Sequence, residues 1–65
     1  MKPKTDIHVR LTGTDGNIFA LLGRVRQALR RGGYPELADE VTDAVTHSKS
    51  YEEALAKFTE YVIVE

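Results

Sequence analysis

Between Thr5 and Thr12 apolar side chains fall on every second position, and from Ile18 onward they fall on every third or fourth. This change of period constrains the fold more than any other feature, because residues alternate across a strand but return to one face of a helix after about 3.6 positions. Ile7, Val9 and Leu11 share one side of the first segment, with Asp6, His8, Arg10 and Thr12 on the other, the pattern of a half-buried strand. The run Thr12-Gly13-Thr14-Asp15-Gly16-Asn17 then concentrates turn formers. Asp15 or Asn17 can accept a hydrogen bond from the free amides that open a helix, so the first helix is expected to begin near Ile18.

On a helical projection Ile18, Leu21, Leu22, Val25, Ala28 and Leu29 gather within about 120°, a core-facing stripe of normal width. Arg24 and Arg31 lie on one shoulder of that stripe and Arg26 and Arg30 on the other, and Gly32-Gly33 supplies a left-handed stop. Pro35 suits the first position of a second helix, and the charges of Glu36, Asp39 and Glu40 favour its N-terminus. Leu37, Val41, Ala44 and Val45 repeat on one face of this helix, which ends near His47. Ser50 and Glu53 have capping-box spacing and open a third helix with Tyr51, Ala54, Leu55 and Phe58 on its inner side. Tyr61-Val62-Ile63-Val64 reads as a closing strand.

These elements predict an α+β fold, a single small domain over residues 1–65 in the order β-α-α-α-β, with two terminal strands packed under three helices. Pairing of the strands buries Ile7, Val9, Leu11, Val62 and Val64. Tyr61 and Ile63 then face outward, a pair suited to edge pairing or face packing between two copies. The alternative tucks Ile63 under the third helix. Strand direction stays open, since successive antiparallel helices return the second strand parallel to the first and a crossed third helix reverses it.

A chain of 65 residues without cysteine cannot use disulfides to support a small core, which leaves self-association as the natural help. The lack of cysteine fits a reducing compartment, and the start Met-Lys-Pro-Lys leads into a polar strand rather than a signal-like apolar run. The expected location is the cytoplasm, with no membrane association.

Enzymatic and metal chemistry find little support. Gly13-Thr14-Asp15-Gly16 lacks the Lys-Ser/Thr ending of a phosphate loop, and Asp15 repels phosphate, so the segment reads as a structural turn. His8 and His47 have no second ligand at metal spacing, and Ser48 and Ser50 are explained as turn and cap residues. The carboxylate pairs Asp39/Asp43 and Glu36/Glu40 fall on an exposed helix face. No catalytic residue and no cofactor is expected. Gly23, at a cost of about 1 kcal/mol against alanine, projects between Phe19 and the Arg26/Arg30 shoulder. Close contact with the third helix, its Tyr51 or its Phe58, explains it, and so does the approach of a ligand or partner. Phe19, Arg26 and Arg30 together make an aromatic-basic surface for nucleic acid, unless Phe19 covers the open end of the core.

The charge distribution can orient partners, pair the chain's own halves or stack copies of it, and the field does not choose among these. Residues 1–33 carry seven Lys/Arg against Asp6 and Asp15, whereas residues 34–65 carry Lys49 and Lys57 against eight carboxylates. Such a polarised chain suits a non-enzymatic accessory or adaptor protein acting through protein-protein contacts or self-association, with a homodimer as one form. The second class is a dimeric nucleic-acid-binding protein like a ribbon-helix-helix, in which His8, Arg10 and Thr12 form the reading face with Lys2 and Lys4 nearby. Asp6 on that face, the acidic second helix and the extra terminal strand count against it. The expected interaction surface comprises His8, Arg10, Phe19, Gly23, Arg26, Arg30, Tyr61 and Ile63.

The run Val9-Arg10-Leu11-Thr12-Gly13-Thr14-Asp15-Gly16-Asn17-Ile18-Phe19, continuing to Gly23-Arg24-Val25 and Ala28-Leu29-Arg30-Arg31, resembles a group of small uncharacterised proteins of bacteriophages and bacteria. Their V-x-L-x-G-x-D-G-N-x-F start precedes an Arg-rich helix, an acidic stretch, a Ser-Tyr or Asp-Tyr helix start and a short Val-x-Val ending. Ser50-Tyr51-Glu52-Glu53 and Val62-Ile63-Val64-Glu65 are similar to the later parts of that pattern. Ile63 departs from it, standing where the pattern is acidic, which leaves the direction of that side chain open. The resemblance implies phage or mobile-element origin and transfers no activity or site residue.

Overall fold

The computed structural model describes residues 2–13 and 16–65. Their order is β1 (His8–Val9), α1 (Ile18–Arg31), α2 (Pro35–Thr46), α3 (Tyr51–Thr59) and β2 (Ile63–Val64), an α+β arrangement in which the two terminal strands pair. The strands are parallel, His8 opposite Ile63 and Val9 opposite Val64. A parallel pair needs a long crossover between its members, and here three helices supply it.

The strands are shorter than their alternation predicts, yet backbone pairing runs well past them. Lys4 N–H and Thr5 N–H donate to the carbonyls of Glu60 and Tyr61, and at the other end Leu11 and Thr12 N–H both donate to Glu65. The Thr5 hydroxyl adds a bond to the Tyr61 carbonyl at 2.7 Å and is buried there. The N-terminal segment is therefore stitched to the C-terminal one from Lys4 to Thr12.

Each helix end has a local cause. The Asn17 side chain accepts from the Phe19 amide at 2.9 Å and caps α1, while Asp15, the other expected cap, lies outside the described residues. At the far end Gly33 has φ +91°, its N–H bonds the Arg30 carbonyl, and Tyr34 N–H bonds the Leu29 carbonyl, the Schellman pattern of helix closure. Gly32 serves a different purpose from its neighbour: a Cβ there would come within 2.3 Å of Ile7 Cδ1. Of the expected glycine pair only Gly33 supplies the left-handed turn, and Gly32 admits the first strand. Pro35 begins α2 as expected. The Ser50 hydroxyl accepts from the Glu53 amide at 3.0 Å, whereas the Glu53 carboxylate reaches back to Lys49 N–H rather than to Ser50.

Val25, Leu29, Val41, Phe58 and Val62 are fully buried where the three helices meet the sheet, surrounded by Val9, Leu21, Leu22, Ala38, Val45 and Ala54. In α2 Ala38 is buried and Leu37 only half-buried, a small rotation of the expected inner face. Three expectations fail more clearly. Tyr61, expected to face outward, is buried, and Val64, expected inside, is exposed. The reason is that the chain does not extend until Ile63: Tyr61 and Val62 N–H both bond the Phe58 carbonyl, so these residues finish a turn and both side chains enter the core. Ile63 is half-buried on the sheet face it shares with the exposed His8, and it does not join the core. Tyr51, expected on the inner side of α3, is exposed, and its hydroxyl donates to the Gly16 carbonyl across the end of the bundle. No helix among the described residues is long and apolar enough to cross a membrane.

Candidate functional site

The strand and the first helix together build one flank of the molecule. In β1 and the residues flanking it, the odd-numbered positions turn their backbone groups toward β2: the Ile7 carbonyl accepts from Ile63 at 2.8 Å and the Val9 carbonyl from Glu65 at 2.9 Å. Because successive peptide groups of a strand point in opposite in-plane directions, the N–H and C=O of His8 and Arg10 face away from β2, and among the described residues neither makes a backbone hydrogen bond on that edge. Beside this edge runs an open groove of about 210 Å³, whose far wall is the side of α1 carrying Arg24, Gln27, Ala28 and Arg31. Arg10, Arg24 and Arg31 form no ion pair among the described residues. These three guanidinium groups are therefore not neutralised by any carboxylate among the described residues.

The other shoulder of α1 is different. Half-buried Arg26 and exposed Arg30 approach the exposed Asp39 carboxylate at 3.9 and 4.0 Å, loose contacts that each contribute little stability. The Arg26 Nε is buried without a hydrogen-bond partner. Gly23 shares a shallow groove with Arg26, Gln27, Arg30 and Arg31, is exposed, and offers open space where a Cβ would stand. Packing of the third helix on Gly23 is thus ruled out as its explanation. Phe19 is 70% exposed and belongs to a separate apolar groove with Ile18, Val45, Tyr51 and Ala54. The expected aromatic-basic surface of Phe19, Arg26 and Arg30 is not gathered around one groove.

Lys4, by contrast with the arginines, is fully engaged. Its ammonium contacts the Glu40 carboxylate and lies 4.9 Å from the centre of the Tyr61 ring, while the Tyr61 hydroxyl donates to the same Glu40 oxygen at 3.1 Å. The Lys4 hydrogen bond, reinforced by that of Tyr61, holds the Glu40 carboxyl below its ordinary range, and the same contact raises Lys4. Burial, then the bond to Glu40, pushes the Tyr61 phenol up. Tyr61 is consequently a structural joint between the N-terminus, α2 and the closing turn rather than a surface residue. His8 is exposed and its Nδ1 contacts the Glu65 carboxylate, so an acidic group lies on the outer face expected to read nucleic acid.

Of the expected surface residues, His8 and Arg10 meet at the groove beside β1, Gly23, Arg26 and Arg30 meet on the opposite shoulder, Phe19 stands apart, Ile63 is half-buried and Tyr61 is internal. Arg24, Gln27 and Arg31 complete the first groove and were identifiable only as a helix shoulder, since nothing in the periodicity says which shoulder meets the strand. Among the described residues no three His, Asp or Glu side chains gather as metal ligands would. No protein-family model, curated protein or solved structure matches the chain.

Proposed function

We propose that the chain is a non-enzymatic adaptor that holds an anionic macromolecular partner on the flank formed by β1 and α1. The observation that carries this reading is the set of Arg10, Arg24 and Arg31, which line one groove and have no carboxylate to neutralise them among the described residues. An open groove of about 210 Å³ falls short of the roughly 300–1,000 Å³ that enclose a small ligand, and it suits a chain lying along it. Exposed arginines kept apart from intramolecular acids favour association through charge complementarity.

Nucleic acid is the second reading, favoured by the same three arginines. The Glu65 carboxylate against His8 puts an acidic group on the face that the strand of a ribbon-helix-helix would turn toward DNA. Amide shifts of isotope-labelled protein test the proposal, with a glutamate-rich peptide and mixed-sequence DNA as probes at low and physiological salt. Saturable shifts centred on Arg10, Arg24, Gln27 and Arg31 that weaken with salt are expected. Absence of shifts with every polyanion at either salt overturns it.

A further inference from the structure

Resting on the adaptor reading, we infer that the partner is an acidic peptide segment in extended conformation, which adds to the free edge of β1 as a third strand and places its carboxylates against Arg10, Arg24 and Arg31.

The edge supplies the first argument. His8 and Arg10 offer both N–H and C=O groups to the groove, and water is their only source of hydrogen bonds there among the described residues. A sheet edge with free donors and acceptors is a template for another strand. A phosphodiester chain can accept from the N–H groups but has no donor on its phosphates for the carbonyls, so the edge discriminates for a polypeptide.

The helix supplies the second argument. Arg24 and Arg31 are two turns apart, about 10.5 Å along α1, a span that long arginine side chains bridge to carboxylates two or four residues apart on an adjacent strand. The partner is not a second copy of this chain, because most of its acidic residues lie in α2 and α3, where the backbone is committed to helix, and its extended C-terminal segment is already paired with β1. Among the described residues no extended acidic segment is free to occupy that edge, so the segment proposed is one of another protein.

The test uses the full isotope-labelled chain and three probes: acetyl-Glu-Val-Glu-Val-Glu-Val-amide, the same peptide with every amide nitrogen methylated, and a mixed-sequence single-stranded DNA. Expected are saturable downfield shifts of the His8 and Arg10 amides with the first peptide, cross-peaks between those amides and peptide backbone protons, and at least tenfold weaker binding of the methylated peptide. His8→Pro, which removes the outward donor and leaves the bonds to β2, should weaken the first peptide at least tenfold relative to His8→Ala. If His8→Pro does not fold, the methylated peptide decides. Equal binding of the two peptides overturns strand addition and leaves the adaptor reading standing on charge alone. Tighter binding of DNA than of the first peptide overturns the peptide partner in favour of nucleic acid. Failure of all three probes overturns the adaptor reading itself.

Discussion

Lys4 and Arg10 belong to the same basic N-terminal segment, six residues apart, and the fold treats them in opposite ways. Lys4 is held by Glu40 and the Tyr61 ring at a joint where three parts of the chain meet. Arg10 points into a groove with Arg24 and Arg31 and meets no acid among the described residues. The difference teaches which charges join parts of the molecule and which make no ion pair among the described residues. Net charge alone conceals this division, because the overall −1 sums charges that are cancelled locally with charges that are not.

The comparison breaks first at Tyr61. Tyr61→Ala empties a buried aromatic site and should cost about 3–5 kcal/mol, comparable with the whole core stabilisation of a domain this small, so the cooperative thermal transition should vanish. Tyr61→Phe keeps the ring and loses one hydrogen bond, about 1 kcal/mol by urea denaturation. A Tyr61→Ala protein that melts like the parent would dissolve the distinction between the two regions. The reciprocal change is Arg24→Glu with Arg31→Glu, for which melting should shift by no more than about 0.5 kcal/mol per site while affinity for an acidic peptide falls more than tenfold. A large loss of stability in that variant would make these arginines structural after all.

Gly23 sharpens the contrast between the two shoulders of α1. Gly23→Ala should raise stability by up to about 1 kcal/mol, because the added methyl meets open space and alanine favours helix. Peptide affinity should not change, since Gly23 does not line the groove beside β1. The smallest effect is electrostatic. Glu40 is lowered by its bonds to Lys4 and Tyr61, so its contribution is present above the ordinary carboxylate range and is lost as pH falls through the lowered value. Tyr61 and Lys4 are raised, so theirs is present below their ordinary values and is lost as pH rises through the raised ones. Glu40→Gln should flatten the acid limb of a stability-pH curve by a small amount, because both members of the ion pair are exposed.

Much of the architecture is legible in the residues themselves. Asn17, Pro35 and Ser50 mark helix starts by chemistry that acts within a few residues, and the stripe from Ile18 to Leu29 is inward because the period of a helix admits no other face. Tyr61 and Tyr51 depart from the periodicity for a common reason. An aromatic at the end of an element is buried or exposed according to where the neighbouring turn carries it, and at Tyr61 the turn after α3 lasts two residues longer than strand alternation suggests. The charge split was visible in the composition of the two halves, but its division into the Lys4 joint and the Arg10 groove was not, because it depends on contacts between residues as far apart as Lys4 and Glu40.

The sequence by itself determined the order of elements, their caps and the inward stripes, since these follow from hydrogen bonds and periodicities local to the chain. Tertiary structure alone decided that the strands run parallel, that Gly32 makes room for Ile7, and that the edge of β1 lies open beside Arg24 and Arg31. Those outcomes depend on how three helices pack between the strands, and packing is settled by the joint fit of distant side chains rather than by any segment taken alone.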